Sequence, residues 1–289
     1  NVGLDLTFLN RFALTFDYYQ RKTSDLIYDL PVSQVGGYYD SSYGYYMPVN
    51  VGALKNSGVE VTIQTTNFQT DDFSWTTSLN IGHNTNELVT LNGEQNEIVS
   101  GPLIHRIGKA YYSYYLYEYA GVDPQTGKEL FYKNDGTADA RQTTTNVSEA
   151  NKTIVGKHDA KVEGGLTNNL KWKWFDLGFT FTYSLGGDAF DYATWQHSDG
   201  GTYLYNGAVP AYYTLEDMWT GPGDTSAKLP AFQYGNNSQS MSSRWLMSTD
   251  YLRLKNLPRC SYASKLVKQD WYEQCTYLLL WFKSADLEV

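Results

Sequence analysis

Apolar and polar side chains alternate strictly along two neighbouring segments between Lys161 and Gly187. The faces of the second segment are Leu177, Phe179, Phe181, Tyr183 and Leu185 on one side and Asp176, Gly178, Thr180, Thr182 and Ser184 on the other. A period of two residues predicts β-strands with one apolar and one polar face. Because only a tight turn at residues 172–176 separates the segments, we expect an antiparallel hairpin.

Two architectures fit this hairpin. Its apolar face is large and aromatic, whereas its other face is small and hydroxylated, which is the pattern of a strand with lipid outside and a wet lumen inside. A soluble sandwich that buries the apolar face in a core produces the same alternation. The hairpin by itself does not separate the two.

The composition narrows the class of protein. The chain has 289 residues with 26 Tyr, 8 Trp and 25 Gly. Tyrosine and tryptophan suit membrane interfaces and sugar-binding surfaces alike, because each has an apolar body and a polar tip. No stretch approaches the roughly eighteen consecutive apolar residues of a transmembrane helix. The net charge of -9 argues against nucleic acid as a partner, because no basic stripe is present to neutralise phosphates.

Further strands with short connections are predicted along the chain. Residues 2–10 and 12–27 form one alternating pair, and residues 59–65 and 73–81 form another. A last strand is expected within residues 244–254. These segments follow one another closely enough to pair as antiparallel neighbours.

The remaining connections are long and rich in aromatic residues. They cover residues 35–48, 86–159 and 188–242, and the second is expected to contain a hairpin of its own. Outer-membrane barrels sort their connections in this way, with short periplasmic turns and long external loops. Loops of this length are uncommon in a soluble sandwich. The asymmetry therefore favours a membrane barrel.

Six segments carry a more specific pattern, and they are Leu4–Tyr28, Asn50–Ile63, Phe73–Leu88, Gly108–Tyr132, Gly156–Phe190 and Tyr251–Leu257. In this order they resemble the SusC family of TonB-dependent outer-membrane transporters. The resemblance implies an all-β chain in which residues 1–257 form the C-terminal portion of a plugged transmembrane antiparallel β-barrel of about 22 strands, with long extracellular loops. The plug domain, the TonB-contacting segment and the first barrel strands have no counterpart in the chain.

The resemblance also implies a function. It is the TonB-dependent active import of a nutrient, an oligosaccharide or an oligopeptide, across the outer membrane of a Gram-negative bacterium. The implied partners are a SusD-type surface lipoprotein, the TonB complex acting through the plug, and the lipid bilayer around the barrel. The alternative is an outer-membrane or secreted β-rich binding or adhesion protein that transports nothing.

Residues 258–289 depart from the pattern of the family. Pro258 cannot donate to a strand ladder, and the apolar run Tyr277–Phe282 does not alternate. We interpret residues 258–289 as a truncated or unreliably assigned tail. The chain as a whole reads as a piece of a longer protein, with any signal peptide outside it. The two cysteines, Cys260 and Cys275, are not spaced as a metal motif.

No arrangement of residues predicts catalysis or a metal site, so we expect a protein that is not an enzyme and carries no cofactor. The histidines are scattered without ligand spacing, at His83, His105, His158 and His197. Glu216 and Asp217 are adjacent and diverge, unlike the paired carboxylates of a glycosidase. Asp123 is a lone carboxylate in a turn, whereas calcium takes several oxygen ligands.

The aromatic residues of the long connections are the candidate substrate contacts, because flat rings bind sugar and peptide surfaces with few rotamers to freeze. They are Tyr38, Tyr39, Tyr43, Tyr45, Tyr46, Tyr203, Tyr205, Tyr212, Tyr213 and Trp219. The alternative for each is that it packs the loops together or contacts a partner protein. A second aromatic set is predicted to form the girdle at the membrane interface: Tyr18, Trp75, Trp172, Trp174 and Tyr183.

Overall fold

The computed structural model describes residues 1–31, 36, 39, 46–50, 52–91, 96–136, 141–173, 175–197, 214, 216–233 and 240–256. Its strands begin with β1 Val2–Phe8, β2 Phe12–Ser24, β3 Ile27–Pro31, β4 Tyr46–Asn50, β5 Ala53–Gln69, β6 Phe73–Thr90, β7 Glu97–Ser100, β8 Leu103–Arg106 and β9 Ser113–Tyr117. They continue with β10 Tyr119–Val122, β11 Glu129–Tyr132, β12 Thr143–Thr144, β13 Lys152–Lys157, β14 Val162–Trp172, β15 Phe175–Leu185, β16 Asp188–Phe190, β17 Leu246–Ser248 and β18 Tyr251–Asn256. A short helix, α1, covers Tyr192–His197. Among the described residues, no helix has the length and apolar character needed to cross a membrane.

Seven of the described strands form one antiparallel sheet, hereafter the wall, in the order β1-β2-β5-β6-β14-β15-β18. The predicted hairpin is its β14–β15 pair, in which Val162 lies opposite Leu185 and Trp172 lies opposite Phe175. The all-β, antiparallel class predicted from the alternation is therefore confirmed. Within the described residues the wall is an open sheet with β1 and β18 at its edges.

The register gathers most of the large apolar side chains of the seven strands on one face of the wall. Leu166 lies between Leu79 on one side and Phe181 on the other, because the three residues are register partners in adjacent strands. The opposite face is polar, and across it the hydroxyl groups of Thr167 and Thr180 lie 3.0 Å apart in a hydrogen bond. The two predicted faces of the hairpin thus extend over the whole sheet.

No described part of the chain covers the apolar face. Val2 is 69% exposed, Trp172 is 60% exposed and Leu252 is 66% exposed. None of the large apolar side chains on this face is buried. A soluble sandwich needs a second sheet here, and the described strands supply none. An uncovered apolar face on a pleated sheet is what contact with lipid requires.

The connections sort by length as predicted. The short turns that follow β1, β5 and β14 lie at one end of the wall, where Asn10 and Lys173 adopt positive φ values of 53° and 52°. The connections across residues 25–52, 91–161 and 186–250 leave the other end. Hereafter these are the turn end and the loop end.

A short polar chain interrupts the apolar face near the turn end. The buried amide oxygen of Asn168 accepts the indole N–H of Trp75 at 2.9 Å and the hydroxyl of Thr77 at 2.7 Å. The amide of Asn67 donates to Thr77 at 2.7 Å and accepts from Thr65 at 2.8 Å. These contacts satisfy the polar groups internally, as a surface without water requires.

Two tyrosine rings lie over glycines of the neighbouring strand. The Tyr183 ring covers Gly164 and its hydroxyl donates to the backbone oxygen of Asn80 at 3.1 Å. On the opposite face, the Tyr19 ring covers Gly58 and its hydroxyl donates to the Asn84 side chain at 3.1 Å. Each glycine leaves the space that the ring needs, so three strands are tied together at each site.

The structure differs from the sequence expectations in the connections. The strand predicted over residues 12–27 is divided into β2 and β3, with Asp25 at a φ of 56° between them. Residues 46–48, expected to be loop, belong to β4, which pairs with β3. Residues 86–159 hold seven strands rather than one hairpin, β7 to β13, as well as the end of β6.

We expect Phe181→Lys to destabilise the folded protein by about 2–4 kcal/mol, because it places a charge in the middle of the lipid-facing surface. The measurement is the fraction of the whole protein that is recovered from outer membranes in its folded, heat-modifiable form. Thr182→Lys is the matched control, since its neighbouring position points to the polar face. Equal losses from the two variants would contradict the assignment of the faces.

Gly164→Ala is expected to cost about 1–3 kcal/mol, because overpacked sites must shift their backbone. A methyl group on Gly164 would meet the backbone oxygen of Asn80 at 2.0 Å. At Gly82, the nearest atom to an added methyl group is 3.6 Å away, so Gly82→Ala is the control. Thermal unfolding in detergent measures the difference, and equal melting temperatures would show that the close approach of β6 and β14 is wrong.

Candidate functional site

The long connections at the loop end fold into small sheets of their own. We define the loop platform as the described parts of residues 97–157, 188–190 and 216–248. Its sheets are ordered β13-β9-β8-β7, β10-β11-β12 and β16-β17. Ile104 and Leu116 are fully buried in it and Phe131 is 2% exposed, so this is where the described chain has its apolar core.

β6 links the platform to the wall. The N–H of Leu88 donates to Lys109 at 2.9 Å, and the N–H of Gly108 donates to Leu88 at 2.8 Å. The side chain of Asn86 accepts the N–H of Tyr111 at 2.9 Å and donates to Asn56 at 2.8 Å. The loop end of the wall therefore continues into the platform through main-chain and amide hydrogen bonds.

A buried ion pair joins the second connection to the third. Arg244 Nη1 lies 2.6 Å from Glu129 Oε1, and the two side chains are 9% and 3% exposed. The guanidinium also lies over the rings of Tyr119 and Trp245, at 5.9 and 4.4 Å from their centroids. Burial raises the pKa of Glu129 to about 7, although Arg244 opposes the shift. The second oxygen of Glu129, Oε2, has no hydrogen-bond partner, which fits a carboxyl group close to protonation.

Among the predicted substrate contacts in the described part of the chain, Trp219 has well-defined side-chain contacts. Its ring lies against Gly127, and its indole N–H donates to the backbone oxygen of Pro124 at 2.9 Å. The turn below it is closed by Asp123, whose carboxylate accepts from the N–H of Gln125 and the hydroxyl of Thr126. The ring holds the third connection onto this turn, which is the packing alternative for this residue.

The other predicted substrate contacts are placed less completely. Tyr39 is 64% exposed, and Tyr46 lies in β4. Those outside the described residues are Tyr38, Tyr43, Tyr45, Tyr203, Tyr205, Tyr212 and Tyr213. The described part of the chain does not bring the set together, and its role in binding stays a prediction.

The predicted girdle residues that are described lie on the apolar face. Trp172 is exposed beside the short turn, and Trp75 stacks on Phe68 with 6.0 Å between the ring centroids. Tyr18 is exposed on β2, and Tyr183 lies near the loop end of β15. Trp174 and residues 257–289 fall outside the described residues. The girdle role itself stays a prediction.

An aromatic cluster on β8 and the segment that follows it was missed by the sequence reasoning. The buried ring of His105 stacks on Tyr111 with centroids 4.2 Å apart, and Tyr112 packs edge-on against Tyr111 at 4.9 Å. The Nδ1 atom of His105 lies 2.7 Å from the backbone oxygen of Tyr111. Burial lowers the pKa of His105, so it is a neutral packing residue near pH 7.

A cavity of about 500 Å³ opens where the wall meets the platform. Lys109, Lys157 and Lys161 line it together with Asp188 and further residues of β13. Lys157 and Lys161 lie four residues apart and Lys109 comes from a distant part of the chain, so no local motif predicts that all three meet. In the described part of the chain, no group of His, Cys, Asp or Glu side chains is arranged to hold a metal ion.

These observations define a class of protein: a two-faced antiparallel wall of membrane-barrel type that carries structured loops at one end. The chain matches a chain in the structure of the RagAB peptide transporter with a TM-score of 0.73 and 29% identity, covering 88% of this chain and 27% of that one. No family model matches the chain.

Comparisons of the sequence with curated proteins point to the same class of protein as the structural match. The chain is 30% identical over 282 residues to the TonB-dependent receptor P3 of Formosa agariphila, covering 89% of this chain and 26% of the receptor. It is 31% identical over 202 residues to the TonB-dependent receptor SusC of Bacteroides thetaiotaomicron, covering 64% of this chain and 19% of SusC. The resemblance to the SusC family of TonB-dependent outer-membrane transporters is therefore confirmed. The chain spans about a quarter or less of these relatives.

The Glu129–Arg244 pair predicts that platform stability falls as the pH rises through the window between about 4.5 and about 7. The folded state binds the proton more tightly than the unfolded state there, so each pH unit removes up to about 1.4 kcal/mol. Hydrogen exchange of the β11 amides, corrected for intrinsic rates, measures the effect in the whole protein. Glu129→Gln should flatten the dependence, and a variant that keeps the wild-type slope would contradict the assignment.

Proposed function

We propose that this chain is part of a transporter that imports a nutrient across the outer membrane of a Gram-negative bacterium, driven by the TonB complex. In this proposal the wall forms part of the barrel, and the platform faces the outside and contacts the cargo. A SusD-type surface lipoprotein captures the cargo against the loop end. The plug through which TonB acts belongs to parts of the protein beyond this chain.

The single observation that carries the proposal is the separation of faces across all seven wall strands. An apolar face left uncovered by the described chain suits lipid, and the polar face with Thr167 and Thr180 suits a wet interior. The similarity to SusC and the TonB-dependent receptor P3 supports import rather than adhesion. The similar proteins are named receptors and transporters, which supports a protein that is not an enzyme.

The proposed cargo is an oligopeptide or an oligosaccharide. The RagAB structure is named a peptide transporter, which supports a peptide, and the aromatic loop residues suit either class. We propose that at least one of the ten aromatic residues predicted from the sequence contacts the cargo. Tyr39 is the described member whose exposure leaves room for this, whereas Trp219 is committed to the turn at Asp123.

Uptake by cells that carry the complete gene tests the proposal. Labelled oligopeptides and labelled oligosaccharides are supplied separately, and we expect one class to accumulate in a TonB-dependent manner. Deleting the tonB gene should abolish the uptake, because the energised step is lost. Deleting the neighbouring lipoprotein gene should lower it by weakening capture. Uptake that survives the loss of TonB would contradict active import.

A further inference from the structure

The cavity between wall and platform concentrates positive charge in an acidic protein. Lys109, Lys157 and Lys161 line it, whereas Asp188 is its acidic member. The chain as a whole carries a net charge of -9, so a cluster of three lysines is opposite in sign to the charge of the whole chain. Positive side chains gathered in one concave place raise the local concentration of anions.

The three ammonium groups have no acidic partner in the described part of the chain. Within the described residues, no carboxylate oxygen lies within 4.0 Å of the ammonium groups of Lys109, Lys157 and Lys161. The ion pairs that do form there involve Arg106, Lys133, Arg141, Lys228 and Arg244. Asp188 is already used, since its Oδ2 accepts the backbone N–H of Lys157 at 3.1 Å. The cluster thus keeps hydrogen-bond donors that nothing described has taken up.

The backbone positions of these lysines are fixed by main-chain hydrogen bonds. The N–H of Lys161 donates to Leu185 at 2.8 Å, and the backbone oxygen of Lys109 accepts from Leu88 at 2.9 Å. Lys157 ends β13, which pairs with β9 through the register partner Ser113. The cavity is therefore a feature of the joint between wall and platform, lined by residues from four parts of the chain that tertiary structure brings together.

The loop end of the wall borders this cavity. Lys161 directly precedes β14, and its backbone N–H donates to Leu185 at the end of β15. The Lys161 side chain lies across Gly186, where the hairpin leaves the wall. A group bound here would lie at the loop end of the wall, the end to which the proposed function brings cargo.

We propose that this cavity binds an oxyanion carried by the cargo, a carboxylate or a sulfate ester, through Lys109, Lys157 and Lys161. The inference rests on the proposed function, and it narrows the substrate to acidic oligopeptides or acidic oligosaccharides. Ammonium groups form charge-assisted hydrogen bonds to such oxygens. The carboxylate and sulfate sources share this chemistry, and the probes below separate them.

Binding to the purified whole transporter tests the site. The probes are tetraglutamate against tetraglutamine, and a galactan tetrasaccharide with sulfate esters against its desulfated form. We expect one acidic probe to bind at least about tenfold more tightly than its neutral partner, with an affinity that falls as salt is added. The acidic probe that binds identifies the source of the oxyanion.

Substitution ties the binding to the cavity. The triple variant Lys109→Gln, Lys157→Gln, Lys161→Gln should lose the preference for the acidic probe, whereas Arg at the same positions should retain it. A triple variant at Lys128, Lys171 and Lys173, changed to Gln, removes the same charge elsewhere and should bind as wild type. Recovery in the folded, heat-modifiable form confirms that each variant assembles.

The outcomes separate this site from the import proposal. Equal binding of acidic and neutral probes to wild type, or unchanged preference in the Gln triple variant, overturns the oxyanion site. If neutral cargo still enters in a TonB-dependent manner, the import proposal holds without the oxyanion site. Preferred binding of an acidic probe to wild type, lost in the Gln triple variant, supports the oxyanion site. This result stands even if uptake survives tonB deletion, which would contradict the import proposal alone.

Discussion

The pairing of β6 with β14 holds the two halves of the wall together. These strands are distant in sequence, yet Phe73 lies opposite Trp172 and Gly82 lies opposite Glu163 along an unbroken ladder. Because side chains alternate with a period of two, a slip of one residue would turn Leu166 from the apolar face to the polar face. The separation of faces, and every argument about lipid and lumen, depends on this register.

Strand β6 also connects the wall to the platform. β6 runs past the wall to Thr90, and its last residues provide the amide of Asn86 and the backbone of Leu88 that hold residues 108–111. Leu88 is buried although it belongs to a wall strand, which marks the point where the sheet stops facing solvent or lipid and enters a core. The platform is thus attached to the wall at a fixed position, the last residues of β6.

The wall was predictable from sequence because its signal is local. Alternation in residues 162–185 specified the hairpin, and the length of the connections specified which end carries the loops. The platform was not predictable in the same way. The buried contact between Glu129 and Arg244 joins residues that are distant in the chain, and neither has a periodic neighbourhood that points to the other. Trp219 shows the limit for the site, because composition cannot separate an aromatic ring that packs on Gly127 from one that meets cargo.

The aromatic excess of the chain therefore has at least two uses. Trp219 donates its N–H to Pro124, and Trp245 donates to the backbone oxygen of Ser240 at 3.1 Å, so both rings build the platform from within. Tyr111 does the same by stacking on His105. Rings that already pack against the chain and donate their hydrogen bonds within it have few groups free to bind a ligand. Ammonium groups without an acidic partner still gain free energy by binding an anion. We therefore expect the proposed cargo to be recognised at these ammonium groups rather than at the rings that pack the platform.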